Sequence, residues 1–197
     1  MIAGIVIAVV VVLIVLWLIF GYNRLVRSRN GYQNAFAQID VQLQRRFDLI
    51  PNLVETAKAY MAHERQTFEE ITAARAAAIS GLSAAKANPG EPAAMQQLAQ
   101  TQGALAGALG RFTAVAENYP DLKASQNMMQ LSEELTSTEN RVAFSRQAYN
   151  DSVLSYNNAR QVFPASVIAG MFGFRPAAMW EVDPGKPETR DAPKVQF

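Results

Sequence analysis

Few residues in this chain are equipped for chemistry, and their spacing does not favour catalysis. His63 is the single histidine and there is no cysteine, which excludes thiolate catalysis, disulfides and multi-histidine metal sites within one chain. The acids Glu69 and Glu70 are adjacent, so they do not share a helix face, and no Glu-x-x-His pair of the di-iron kind occurs. Phosphate-cradling glycine loops and nucleophile elbows are also missing from the sequence. We therefore predict no catalytic residue, no metal, no cofactor and no enzymatic activity.

The first polar cluster falls in the stretch RRFDLIPNLVE, residues 45–55. Asp48 precedes Pro51, where it can cap the first amides of a following helix, and the arginines can pair with Asp48 or Glu55. One interpretation is a turn held by local capping and ion pairs. The other is a docking surface at the membrane-distal tip of a helical body. The candidate interaction residues are Arg45, Arg46, Asp48, Asn52 and Glu55.

The second polar cluster combines Glu139, Asn140 and Arg141 with two later tyrosine–asparagine pairs. Asn150 and Asn157 each follow a tyrosine, and their spacing of seven returns to nearly the same helix face. The tyrosines then fill core positions. The asparagines can specify register, within the helical body or against a neighbouring chain.

The element that must position these residues begins with an apolar run from Ile2 to Phe20 without charge or proline. As a helix it spans roughly 28 Å, close to the hydrocarbon core of a bilayer. Trp17 and Tyr22 favour the membrane–water interface near its end. A signal peptide is disfavoured because no basic residue precedes the run, and a soluble core helix because it has no polar face. Residues 1–22 are therefore predicted to form a transmembrane anchor.

The basic flank after the anchor sets the expected orientation. Arg24, Arg27 and Arg29 follow the apolar run, and basic residues stay on the cytoplasmic side of a membrane. We predict an outside N-terminus and a cytoplasmic body. Trp17, Tyr22, Arg24 and Arg27 are candidate membrane contacts.

Apolar residues at helical spacing fill the body, residues 23–162. Pro51 predicts a helix boundary near Leu49–Asn52. Three further helices are expected over residues 52–80, 93–117 and 121–162, with breaks at Gly81, at the Ala87–Pro92 loop and at Asn118–Asp121. The fold class is all-α, and the architecture is an antiparallel up-down four-helix bundle with coiled-coil packing on one transmembrane helix.

An apolar segment over residues 163–180 comes after the last predicted helix, and the up-down topology returns it to the bilayer surface. It is too short to span a membrane. It either caps the body or lies in the interface as a short helix. The candidate membrane contacts here are Phe163, Ile168, Met171, Phe172 and Phe174. Residues 181–197 are expected to be a flexible tail, and Trp180 can anchor the chain just before it.

Charge excludes one class of partner. The net charge is +1 and charged residues make up 18% of the chain, without the clustered basic excess of a nucleic-acid-binding surface. We expect membrane lipids as partners, a homo-oligomer, and in one hypothesis a membrane protein.

Four motifs resemble the LemA family. They are YNRLV (22–26), QRRFDLIPNLVE (44–55), ENRVAFSRQAYND (139–151), and a second YN with FPASVIAGMFGF (156–174), in one consistent order after the apolar run. The resemblance implies a four-helix bundle on one N-terminal membrane helix in a bacterial cytoplasmic membrane, with no established catalytic residues. It also implies an association of some members with the shaping of organelle membranes, and for others a gene position near those of membrane peptidases or TPM-domain proteins.

The sequence supports two function hypotheses. In the first, copies assemble side by side and scaffold or curve the membrane, through small residues near the start of the span (Ala3, Gly4, Ala8) and through Gly103, Gly107 and Gly110. In the second, a monomer or small oligomer is an adaptor that presents residues 45–55 to a membrane-bound partner. An enzyme is the least supported hypothesis, for want of a site.

Overall fold

Six α-helices make up most of the part of the chain that the computed structural model describes, residues 2–181. They are α1 (Ile2–Lys58), α2 (Arg65–Ala87), α3 (Pro92–Ala116), α4 (Pro120–Ala124), α5 (Gln126–Gln161) and α6 (Ala165–Met171). No strand occurs within these residues, so the predicted all-α class is confirmed for them. Most of the predicted tail lies outside the described residues.

Helix α1 is 57 residues long and joins two different environments without a break. From Ile2 to Trp17 all of its side chains are exposed, although nearly all are apolar. From Leu25 onward one face is buried in the core at helical spacing. The helix is long and apolar enough to cross a membrane, and its most apolar window has no buried residue. A soluble core helix would bury that window.

The helix boundary predicted near Leu49–Asn52 is wrong, because α1 continues through Pro51 to Lys58. Proline has no N–H, so the carbonyl oxygen of Phe47 loses its helical donor. The Nε of Arg75 on α2 donates to that oxygen at 2.7 Å instead. The chain reverses over residues 59–64, where the Met61 side chain is fully buried.

The boundaries of the later helices agree in part with those predicted from the sequence. Helix α3 matches its prediction within one residue, and the Glu91 carboxylate accepts the Ala94 N–H at its start (2.6 Å). Gly81 does not end a helix, because it lies inside α2, where Thr101 of α3 packs so close that a Cβ would collide with it. The predicted helix 121–162 is divided at Ser125 into α4 and α5.

Packing joins the helices in two extended pairs, α1 with α5 and α2 with α3. Rings of α1 and α5 meet where Phe36 approaches Tyr149 and Tyr32 approaches Tyr156, with centroids 5.7 and 5.1 Å apart. An ion pair between Asp40 and Lys86 (2.7 Å) links α1 to α2. Apolar side chains from all six helices form a single buried cluster.

Candidate functional site

An extended segment after α6, here called the strap (Arg175–Trp180), is bound along α5 by two asparagines. Asn157 Nδ2 donates to the Ala177 carbonyl (2.8 Å), and the Ala177 N–H donates back to Asn157 Oδ1 (3.0 Å). Asn150 binds Trp180 in the same two-way manner, at 3.1 and 2.9 Å. Each side-chain amide thus satisfies one backbone donor and one acceptor of the strap.

The tyrosine before each asparagine binds the same segment. Tyr149 donates its hydroxyl to the Ala178 carbonyl at 2.8 Å, and Tyr156 donates to the Arg175 carbonyl at 2.7 Å. Burial raises the pKa of both hydroxyls above the usual 10.0. Both groups therefore stay protonated at neutral pH and act as donors.

The spacing of the two tyrosine–asparagine pairs matches an extended chain. Seven helical residues advance about 10.5 Å, and three extended residues advance about 10 Å. Asn150 and Asn157 can therefore reach Trp180 and Ala177, three residues apart, in one register. All six hydrogen bonds go to the strap's backbone. Recognition thus depends on extended geometry, and the buried Ala177 and Trp180 side chains add apolar contact.

The other side of the strap contacts the α2–α3 loop. The Ala178 N–H donates to the Gly90 carbonyl at 2.8 Å. Gly90 has φ +87°, and a Cβ there would lie 2.9 Å from Ala177 Cβ and 3.2 Å from Tyr32 Cε2. A side chain at position 90 would thus be strained and would also collide with the strap.

Gly90→Ala is expected to lower the free energy of unfolding by about 2 kcal/mol, because it combines left-handed strain with a clash against Ala177. Gly173→Ala is the matched control, since Gly173 also has positive φ (+69°) but open space around its Cβ position. Chemical denaturation of both variants in detergent measures the difference. Equal losses in the two variants would contradict a steric role for Gly90.

A family model described as "LemA family" matches residues 35–197. The chain belongs to the LemA family. The match begins after the YNRLV motif and extends past Phe174 to the end of the chain.

Three relatives illustrate the range of LemA-related proteins. Magnetosome protein MamQ 2 of Paramagnetospirillum magneticum is 27% identical over 192 residues, which cover 88% of this chain and 70% of the relative. Magnetosome protein MamQ of Magnetospirillum gryphiswaldense is 26% identical over 176 residues (80% and 64%). Protein LemA of Metamycoplasma hominis is 29% identical over 147 residues (75% and 63%). Together with the exposed apolar helix, they support a membrane-associated protein of the LemA type.

The first predicted cluster of this LemA family chain lies on the side of α1 and not at a junction between helices. Arg45, Asp48, Asn52 and Glu55 are exposed and share one helix face. The predicted helix junction within this cluster is wrong, because α1 does not end at Pro51 and continues to Lys58. For the same reason Asp48 cannot cap α2, which begins at Arg65.

Arg46 points the opposite way, into the core, and is 6% exposed. It lines a cleft of about 400 Å³ between α3 and α5, together with Glu139 and apolar residues such as Phe112. Burial lowers the pKa of Arg46, and the charge of Glu139 partly offsets this. Buried Gln102 has no hydrogen-bond partner for its side-chain amide among the described residues. In the described part of the chain, the core thus contains one charged side chain, Arg46, and one amide side chain, Gln102. Apolar packing alone does not explain why either residue is buried.

The second cluster separates into two parts. Glu139, Asn140 and Arg141 are exposed on α5, and Asn140 and Arg141 line a surface cavity beside Phe144. Asn150 and Asn157 bind the strap, so their amides are not used to set register between helices. The sequence signal for part of this arrangement is Trp180, whose large apolar side chain can anchor the segment, but no side-chain pattern indicates that the two asparagines bind its backbone.

The residues predicted to contact the membrane fall into an exposed group and a buried group. Trp17 and Tyr22 lie at the end of the apolar stretch, followed by exposed Arg24 and Arg27. Phe163, Met171 and Phe172 are exposed, and the Phe172 ring contacts that of Tyr22. Ile168 and Phe174 are buried against the protein, so the prediction that these two contact lipid is wrong.

Proposed function

We propose that this protein is a non-enzymatic, single-pass scaffold of the bacterial cytoplasmic membrane, whose copies assemble side by side to organise or remodel it. The observation that carries the proposal is α1. One helix presents an exposed apolar stretch of membrane-spanning length and then continues directly into the buried core. A body fixed to its anchor in this way holds a defined position above the bilayer, as a scaffold requires.

The body in this proposal, residues 23–162, is an antiparallel four-helix bundle with coiled-coil packing. Contacts in reverse numerical order support it. Along α1, Tyr32 and Phe36 meet Tyr156 and Tyr149, so rising numbers on α1 pair with falling numbers on α5. Between α2 and α3, Glu70 pairs with Arg111 (3.0 Å) and Gly81 lies against Thr101, again in reverse order.

The proposed orientation has the N-terminus outside and the body in the cytoplasm. Arg24, Arg27 and Arg29 are exposed immediately after the apolar stretch, and such residues stay on the cytoplasmic side. The anionic lipids of that leaflet attract each of them by on the order of 1 kcal/mol.

Self-assembly is supported by an open face of small residues on α3. A Cβ added at Gly103 or Gly110 would meet no atom within 4 Å, apart from the backbone of its own helix. Each glycine weakens α3 by about 1 kcal/mol relative to alanine. At these two positions no close contact within the described chain requires a glycine. A neighbouring copy can approach closely along such a face. Relatives named as magnetosome proteins are consistent with a role in membrane organisation.

The mass of the detergent-solubilised protein, expressed alone, tests the scaffold. We expect a discrete multi-subunit assembly that the double variant Gly103→Leu/Gly110→Leu disperses without loss of helicity by circular dichroism. Gly31→Leu is the control, because Gly31 is an equally open glycine on α1. A monomeric wild type would contradict the scaffold.

A monomer would instead support the adaptor hypothesis, in which the protein docks a membrane protein such as a peptidase. One observation favours it. Arg45, Asp48, Asn52 and Glu55 form a continuous exposed polar stripe on α1, of the kind that an oppositely patterned partner helix can pair with.

A further inference from the structure

The short helix α6 has two faces with different surroundings. Ile168 and Ala169 are buried and pack toward α1 and α5. Phe163, just before the helix, is 79% exposed, and Met171 at its end is 67% exposed. Val167, one turn before Met171 on the same helix face, is also exposed. Large apolar side chains on α6 and just before it therefore point away from the described protein.

Contacts with α1 fix the level of this face. The Ile168 side chain occupies the space above Gly21, where a Cβ would collide with it. The rings of Tyr22 and Phe172 meet edge to face, with centroids 5.0 Å apart. Gly21 and Tyr22 are the first residues after the apolar run, so the outward face of α6 begins where the exposed apolar surface of α1 ends.

The end of α6 separates its outward and inward residues. Gly173, with φ +69°, follows the helix, and the Phe174 N–H donates to the Ala169 carbonyl at 3.0 Å, as in a Schellman motif. This turn leaves Phe172 exposed and buries Phe174. The strap then continues along α5, so its six hydrogen bonds hold α6 from the C-terminal side.

We propose that α6 lies in the membrane–water interface of the leaflet from which α1 emerges, with Phe163, Val167 and Met171 inserted among the lipid chains. The proposal rests on the proposed function, because it requires that the apolar stretch of α1 spans the bilayer. At the level of Tyr22 the bilayer then surrounds the protein, and an apolar face continuous with the span lies against lipid. A short helix with one apolar face is suited to this depth.

The basic side chains near α6 also favour contact with a membrane surface. Arg24 and Arg27 are exposed on the next turns of α1, and the Arg29 guanidinium lies over the Phe174 ring, 5.4 Å from its centroid. Basic side chains just beyond an inserted apolar face attract anionic headgroups. Because α6 enters one leaflet while α1 crosses both, the insertion expands that leaflet more than the other.

Single-cysteine variants of the full chain test this inference, since the native chain has no cysteine. Phe163→Cys and Met171→Cys carry an environment-sensitive fluorophore in vesicles of phosphatidylethanolamine and phosphatidylglycerol. Phe144→Cys and Met129→Cys are matched controls, because Phe144 is as exposed as Phe163 (78% against 79%) and Met129 is an exposed methionine on α5. Leu16→Cys reports the span itself.

We expect blue-shifted emission at positions 163 and 171 and strong quenching by a spin-labelled lipid, with little of either at 144 and 129. Quenching at 163 and 171 no stronger than at the controls would overturn the inference. The inference would also be overturned if neither the spin-labelled lipid nor aqueous iodide quenched the fluorophores at positions 163 and 171, because protein would then cover this face of α6. Lipid quenching at position 16 distinguishes these outcomes from failure of the membrane span.

Discussion

Replacing Asn150 and Asn157 together with alanine is expected to detach the strap from α5 and to lower the free energy of unfolding by about 3 kcal/mol. The double variant removes four hydrogen bonds to the strap's backbone, each with a net value of about 0.5–1.5 kcal/mol. The carbonyls and N–H groups of Ala177 and Trp180 lose their partners at the same time. Hydration of the released strap recovers part of this cost.

Trp180 reports the detachment directly, because it is 5% exposed when the strap is bound. In a Trp17→Phe background it is the one remaining tryptophan, and its emission is expected to shift to the red in the double variant. Asn158→Ala is the control, since Asn158 is exposed and its side chain makes no hydrogen bond among the described residues. The control also carries the gain in helix propensity from asparagine to alanine. Unchanged Trp180 emission in the double variant would contradict the role of the two asparagines.

Arg75→Leu is expected to destabilise the protein by about 2 kcal/mol, because it removes the side-chain donor to the carbonyl of Phe47. A partly buried acceptor without a partner costs about 1–3 kcal/mol. The effect depends on Pro51, whose missing N–H leaves that carbonyl free. Pro51→Ala restores a backbone donor, so in that background Arg75→Leu is expected to cost less than about 1 kcal/mol.

A double-mutant cycle of Arg75→Leu and Pro51→Ala, measured by chemical denaturation, isolates this coupling. Arg65→Leu is the matched control on the same helix, since Arg65 pairs with Glu69 in an exposed i,i+4 bridge (2.7 Å), and an exposed bridge contributes little to stability. Equal costs of Arg75→Leu with proline and with alanine at position 51 would show that the arginine acts elsewhere.

Pro51 also explains where prediction of the helices from sequence succeeded and failed. Helix α3 has an acidic cap, a proline at its first turn and a regular apolar stripe, and all of these signals are local. The break predicted at Pro51 follows an equally local rule, but the compensating donor Arg75 lies 28 residues from the carbonyl it satisfies. Periodicity within one helix contains no information about such a distant partner.

The strap shows the same limit for the candidate site. The spacing of seven residues predicted that Asn150 and Asn157 lie on the same face of a helix. Their ligand is a backbone segment, and backbone groups are identical at every residue. Side-chain chemistry therefore could not identify residues 175–180 as the partner, although Trp180 indicated an anchored early tail. Trp180 is buried, as that expectation requires.

Because α1 is unbroken, a change in the tilt of its apolar stretch also moves the opposite end of the helix. Lys58 lies 36 residues beyond Tyr22, so the far end of the helix lies about 54 Å from the exit of the apolar stretch. With no joint between the two, tilting the anchor by about 10° displaces that end sideways by roughly 9 Å. Bilayer thickness contributes to the tilt of a spanning helix. If copies assemble with α1 across a bilayer, as proposed, a thinner or thicker bilayer would change the spacing between the far ends and convert a property of the lipid into a lateral distance between neighbouring copies.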